Sequence, residues 1–219
     1  MLTSLLQQSE YAAITRRAES DKRVLSELIA LTLDENDLIG WRAAKALGLA
    51  SARVVEDDAE FVRGILRRLQ WSLNDESGSI GWRAPQAMGA IIAASPGRFS
   101  EFASIVASTL DVDETHFYPG VLWAIGMIAE HHAARVQFTL PQIRALLHDI
   151  SPQTRGMAAW CLGRLGDLAS LDALAQLASD AATLYAFEGD ELRARRVDEL
   201  AREAIARITE PPPKSPPRL

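Results

Sequence analysis

The sequence predicts an all-α chain folded as an α-solenoid, a superhelix of about five stacked helix pairs with capping helices. Two repeated words and a repeated apolar stripe predict it. The first word is Ile39-Gly40-Trp41-Arg42-Ala43, which returns one unit later as Ile80-Gly81-Trp82-Arg83-Ala84. Six positions after each arginine stands a glycine in an apolar setting. These are Gly48 and Gly89, and the series continues at Gly126 and Gly163 with nearly even spacing. A degenerate fifth copy is Ala204-Ile205-Ala206. The second word is an acidic turn upstream: Asp34-Glu35-Asn36, Asp75-Glu76-Ser77 and Asp113-Glu114-Thr115. Helix, short acidic turn, helix, at a period of roughly 40, is the signature of a helical repeat array.

Spacing supports each second helix. Ile39, Ala43, Leu47, Ala50 and Val54 recur at three- and four-residue steps. So do Ile80, Ala84, Met88 and Ile91; Phe117, Val121, Ile125 and Ile128; and Thr154, Ala158, Leu162 and Leu165. One apolar stripe per helix is what packing against a partner helix needs. The first helices are expected at 21–33, 57–73, 97–110, 140–149 and 170–179. Ser95-Pro96, Thr139-Leu140-Pro141 and Ser151-Pro152 carry the proline-near-the-start signal. Pro85 would collide with the Gly81 carbonyl in a continuous helix, so a kink or a late start is expected there. Pro119 falls in a first turn.

Residues 1–209 then form one domain, with units at 21–54, 57–95, 97–133, 140–168 and 170–208. A cap helix is expected at 2–19. The last helix is expected over 190–208, after a longer connection at 180–191, with Arg193, Arg195 and Arg196 on its outer face. Residues 210–219 are a Pro-rich tail holding half of the chain's 10 prolines.

Composition narrows the function. The 219 residues are 48% hydrophobic and 24% charged, ordinary globular values with room for a core. Net charge is −6, which argues against a protein built to grip nucleic-acid backbone. No apolar run approaches the roughly 18 residues of a membrane span. Residues 1–10 lack a basic stretch and a sustained apolar core, so no signal peptide and a cytoplasmic location are expected. A single cysteine, Cys161, excludes an internal disulfide and any multi-cysteine metal site; it is expected to be a small buried thiol beside Leu162. Glu130-His131-His132 has no ligand at helical spacing to complete a metal site. No phosphate loop, nucleophile elbow or dinucleotide fingerprint occurs. No enzyme, cofactor or metal is expected.

The fourth unit reads Thr154-Arg155-Gly156-Met157-Ala158-Ala159-Trp160-Cys161-Leu162-Gly163-Arg164-Leu165-Gly166-Asp167. This resembles the HEAT-like repeat of the phycobilisome-lyase type, in a bacterial branch, over roughly residues 20–208. Units one to three depart from that pattern: Gly40, Gly81 and Tyr118 stand where unit four has Arg155.

The stripe fixes directions around each helix. Trp41, Trp82, Trp123 and Trp160 lie about 200° from it, on one ridge of the second helices, which line the concave face of a solenoid. The repeated glycines, on the same ridge, would give the groove a low floor. Such indoles serve as packing, as anchors of a groove for a protein or peptide partner, or as walls of a small-ligand pocket. Arg42 and Arg83 lie about 60° from the stripe. They are expected to pair with Asp34, Glu35, Asp75 and Glu76, the alternative being anion capture at the groove edge. Asp113 and Glu114 form the third acidic turn. His116, Tyr118 and Pro119 break the repeat at its centre and are candidate site residues, drift at a helix start being the other reading.

The reading these features support is a non-enzymatic binding scaffold or assembly factor with a Trp-lined concave face. The alternative implied by the resemblance is an accessory factor for attaching or maturing a tetrapyrrole-like cofactor, held on Trp82 and Trp123 with Arg83 at its carboxylates. A DNA glycosylase of the same architecture is third, and needs Arg42, Arg83, Arg155 and Arg164 to converge.

Overall fold

The computed structural model describes residues 1–73, 83–112 and 115–210. Trp82, Asp75, Glu76, Asp113, Glu114 and nearly all of the Pro-rich tail lie outside the described residues.

Five helix pairs follow one another, as the repeat predicts. The first helices are α3 (Arg23–Leu31), α5 (Ala59–Leu73), α7 (Ala103–Ser108, between 3-10 turns Ser100–Phe102 and Thr109–Asp111), α9 (Leu140–Ala145, continued by a 3-10 turn to His148) and α11 (Leu171–Leu177). The second helices are α4 (Asp37–Asp57), α6 (Ala84–Ala94), α8 (Tyr118–Val136), α10 (Pro152–Leu165) and α12 (Val197–Thr209). The expected single cap helix is two, α1 (Leu2–Gln7) and α2 (Tyr11–Ser20), joined through Ser9 at φ 56°. No helix among the described residues is long and apolar enough to cross a membrane.

The stripes are where the spacing placed them, except that Leu165 is only half-buried and Ile80 lies outside the described residues. Ile39, Ala43, Leu47, Ala50 and Val54 are buried, as are Met88, Ile91, Val121, Ile125, Ala158 and Leu162. Pro85 resolves into a late start: α6 begins at Ala84 with the proline in its first turn, where the missing N–H costs nothing. The first helix of pair three begins later than expected, because Pro96 and Gly97 (φ 91°) form a turn instead.

Each second helix packs on the next: α4 on α6, α6 on α8, α8 on α10, α10 on α12. The repeated glycines are the reason they approach so closely. A Cβ at Gly89 would lie 2.7 Å from the Ala124 Cβ and 2.8 Å from its Cα. Gly48 meets Ala90, and Gly163 meets Ala204, in the same way. This corrects the groove-floor reading: these glycines are mainly the contact points of the stack.

The largest departure is at the end of the chain. Residues 183–196 are not connection and helix but an antiparallel hairpin, β1 (Thr183–Glu188) and β2 (Glu191–Arg196), inserted between the two helices of pair five. Arg193, Arg195 and Arg196 therefore lie on a strand, and α12 starts at Val197. Gly189 and Asp190 form the two-residue turn, both at positive φ (54° and 75°), as the right-handed twist of a tight hairpin demands.

Candidate functional site

The hairpin crosses the second-helix face. Its base is tied to pair five, where the Val197 N–H donates to the Ala182 carbonyl and the Asp198 N–H to that of Asp180. Leu184 and Ala186 are buried toward α10, and Gly156 has no Cβ to obstruct Leu184. The Gln153 side-chain amide both donates to and accepts from the Tyr185 backbone (2.7 and 2.9 Å), as a neighbouring strand would.

The tip reaches pair one. Arg42 Nε donates to the Asp190 carbonyl (2.8 Å) and Nη2 to Glu191 Oε1 (2.8 Å). The same guanidinium donates through Nη1 to the carbonyls of Leu6 (3.0 Å) and Gln7 (2.8 Å), at the C-terminal end of α1. Lys45 pairs with the Asp190 carboxylate and lies over the Tyr11 ring. Strand residues extend about 3.3 Å each, so the hairpin covers roughly 23 Å. Four helix spacings at about 8–10 Å would put α12 roughly 36 Å from α4 in a flat stack. The hairpin closes the distance because this face is concave.

The ring contacts agree. Trp41 of α4 and Trp123 of α8 meet edge to face at 5.2 Å, although α6 lies between their helices. Phe187 of the hairpin stacks on Trp41 at 5.4 Å with planes 15° apart. Trp160 lies under the Arg164 guanidinium, 4.5 Å from its ring centre, and fills the space left by Gly126. The expected open ridge is thus a cluster: Trp123 is buried, Trp41 and Trp160 are half-buried, and part of the face is roofed by the chain itself.

The roof leaves a space on either side. The larger, about 650 Å³, lies over the middles and C-terminal parts of the second helices. Its floor is Trp123, Trp160, Met127 and Leu49, with Ala90, Ala93 and Ala94 of α6 between them. Phe187, Glu188, Gly189 and Asp190 form the hairpin wall. The smaller, about 460 Å³, lies at the N-terminal ends, between Asp37 and Trp41 on one side and Gln153, Tyr185 and Leu192 on the other.

The cations that line the larger cavity are all paired. Lys45 holds Asp190, and Arg164 holds Glu130. Arg195 is shared by Glu188 (2.6 Å), Glu199 (3.1 Å) and Glu203. Burial lowers the Arg164 pKa, against the opposing charge of Glu130. Three carboxylates around Arg195 hold it above its ordinary value despite burial.

Among the described acidic-turn residues, Asp34 and Glu35 do not pair with Arg42 or Arg83; Asp75 and Glu76 lie outside the described residues. Arg83 donates to the Thr32 carbonyl (2.7 Å), just past the end of α3, and pairs with Asp37. Arg42 does the same for α1. Each guanidinium therefore caps the C-terminal carbonyls of a preceding helix, where the helix dipole favours a cation. Gly40 is glycine because Arg83 lies over it: a Cβ there would be 2.5 Å from Nη1. Asp34 accepts from the Asn36 N–H and Glu35 is exposed, while Asn36 caps α4. Arg83 is thus committed away from the cavity and cannot hold a tetrapyrrole's carboxylates there. Nor do four arginines converge: Arg42, Arg83, Arg155 and Arg164 are each engaged by a different carboxylate, Glu191, Asp37, Asp180 and Glu130.

His116 and Tyr118 are not in the described lining of either cavity. His116 lies against Phe117 at 3.9 Å, and Tyr118 opens α8 half-buried against the core. Cys161 is fully buried, and burial pushes its thiol well above the ordinary value.

Among solved structures, the chain is similar to the archaeal HEAT-like repeats protein from Thermococcus onnurineus NA1. The TM-score is 0.45 and the identity 18%, over 99% of this chain and 82% of that one. No family profile matches the chain, and no curated protein does. The helix-pair stack described above is what establishes the architecture.

The residues that sequence reasoning missed are Phe187, Met127, Glu188, Arg195 and Glu203. The signal for the first was present. Leu184-Tyr185-Ala186-Phe187, a Gly189-Asp190 turn and Leu192-Arg193-Ala194-Arg195 is a two-residue hairpin pattern.

The hairpin tip carries a pH dependence. Burial works against ionising Asp190, but the Lys45 hydrogen bond and the charges of Lys45 and Arg42 hold its carboxyl below the usual range. A carboxyl with a lowered folded-state pKa adds stability that is complete above its unfolded value, about 3.9, and is lost as pH falls through the folded one. The protection factors of the 183–196 amides, relative to intrinsic exchange at each pH, should therefore be unchanged from pH 7 to 5 and should fall below about pH 4. Loss of protection already at pH 6 would mean that another group holds the tip.

Proposed function

We propose that this chain is a non-enzymatic binding scaffold that takes a segment of a protein or peptide partner into the groove beneath its hairpin. The cavity of about 650 Å³, with its indole, methionine and leucine floor, carries the proposal. Half-buried aromatic and Met side chains in a concavity are the anchors of recognition surfaces. The rim of ion pairs gives register rather than chemistry: its cations are committed to carboxylates, and Cys161, the chain's one thiol, is walled into the core. The phycobilin-related reading has no comparable support, since its proposed carboxylate anchor, Arg83, caps α3.

The test is selection from a random peptide library on the full chain, with Ala93→Trp as the blocked control. Ala93 lines the cavity and is half-buried, so an indole there fills the groove without entering the core. Selected peptides should bind the native chain and lose at least tenfold in affinity to the variant, both proteins having the same circular dichroism. Peptides that bind both equally would place recognition elsewhere.

A further inference from the structure

We propose that the larger cavity seats a proline-rich basic segment, and that this segment is the chain's own residues 211–219. The inference rests on the groove reading above and names the occupant's chemistry.

Three observations converge. The first is position. The cavity is lined by all five second helices, from their middles toward their C-terminal ends: Leu49 of α4, Ala94 of α6, Glu130 of α8, Arg164 of α10 and Glu203 of α12. Residues 211–219 leave α12 at that same end. Arg207, in the last turn of α12, is 3.8 Å from Glu130 of the cavity wall. Nine residues in polyproline II geometry extend about 28 Å, enough to cross the three helix spacings from α12 to α6.

The second is surface chemistry. Residues 211–219 read Pro-Pro-Pro-Lys-Ser-Pro-Pro-Arg-Leu. The proline ring already fixes φ in the free chain, so little backbone freedom is lost on docking, and proline rings lie flat on indoles. Trp123, Trp160 and Met127 offer that surface.

The third is charge. The described lining carries four carboxylates, Glu130, Glu188, Asp190 and Glu203, against three cations, Lys45, Arg164 and Arg195. Each of those cations already has a carboxylate partner, and Arg195 is shared by three. A further anion would meet no uncommitted cation of this lining, whereas Lys214 and Arg218 would join a lining with one more carboxylate than cation, Glu130 being reached also by Arg207 from outside it. No acidic side chain occurs in 211–219 to offset them.

The test uses the full chain with Ser215→Cys labelled by bimane, a fluorophore quenched by tryptophan on contact. Cys161 is buried, so the label goes to position 215 alone. The expected result is emission at least twofold below that of the labelled peptide 210–219 free in buffer. Trp160→Phe should restore part of it, and Lys214→Glu with Arg218→Glu should restore most. The charge variants are in none of the described helices, and unchanged circular dichroism separates their effect from any loss of fold. Emission equal to the free peptide, unmoved by either variant, overturns the proposal. If library-selected peptides then still bind and are still blocked by Ala93→Trp, only the identity of the occupant is wrong. If they displace the tail and raise the emission, cis and trans segments share the one seat.

Discussion

Arg42→Met is expected to destabilise the protein by about 4 kcal/mol and to loosen two segments that are far apart in sequence at once. The Arg42 side chain is 6% exposed and makes four hydrogen bonds, to Leu6, Gln7, Asp190 and Glu191. Methionine keeps most of the packing but leaves three carbonyls without their donor. A buried polar group that loses its partner costs about 1–3 kcal/mol, and breaking a buried charged network about 3–5. For a chain of this size that lowers the midpoint of thermal unfolding by roughly 8–16 °C. The specific readout is hydrogen exchange. Residues 2–7 and 183–196 should lose protection together, while α9–α11 keep theirs. Lysine should not rescue, because one ammonium cannot serve acceptors spread around a planar fork. If α1 loosens and the hairpin does not, then Lys45 and the Phe187–Trp41 stack hold the tip without Arg42.

Gly89→Val is expected to cost about 3 kcal/mol, the upper part of the range for forcing atoms into a packed core. The added Cβ would meet backbone and Cβ of Ala124, neither of which can rotate away, so α8 must move off α6. Trp123 precedes Ala124 and would move with it, out of its 5.2 Å edge contact with Trp41. Loss of the near-ultraviolet circular dichroism of that pair should therefore accompany the loss of stability. Gly64→Ala is the contrast. It lies on the exposed side of α5 with nothing within 4 Å of a Cβ, so it should stabilise by about 0.5–1 kcal/mol through helix propensity. Equal effects at the two sites would mean that Gly89 is tolerated by a stack able to spread.

The repeat was legible because it is local. Ile39, Ala43 and Leu47 face the core by the periodicity of one helix, and the next unit repeats the demand one period later. Pro85 likewise announced a helix boundary through its own ring and missing N–H. The direction of Trp41, Trp123 and Trp160 was also legible, since the turn of about 100° per residue needs no tertiary information. What lay over them was not. The hairpin buries only Leu184 and Ala186 firmly within its strands, too little for an isolated two-stranded ribbon to be stable in water. Its order depends on Gly156, Gln153 and Arg42, the last of them 149 residues from its partner Glu191.

The arginines make the same division sharper. Residue type and register placed Arg42 and Arg83 at equivalent points of two repeats, and the structure keeps them equivalent, each at the C-terminal carbonyls of the helix three earlier in the chain, α1 and α3. Helix pairing, the apolar stripe and the succession of second helices follow from patterns that each segment carries within its own repeat. The partner of each charge, the fate of each glycine and the roof over the tryptophans do not. They are set by which surfaces meet when curvature brings pair five back toward pair one, and that curvature is a sum of small rotations at helix contacts that no single repeat contains.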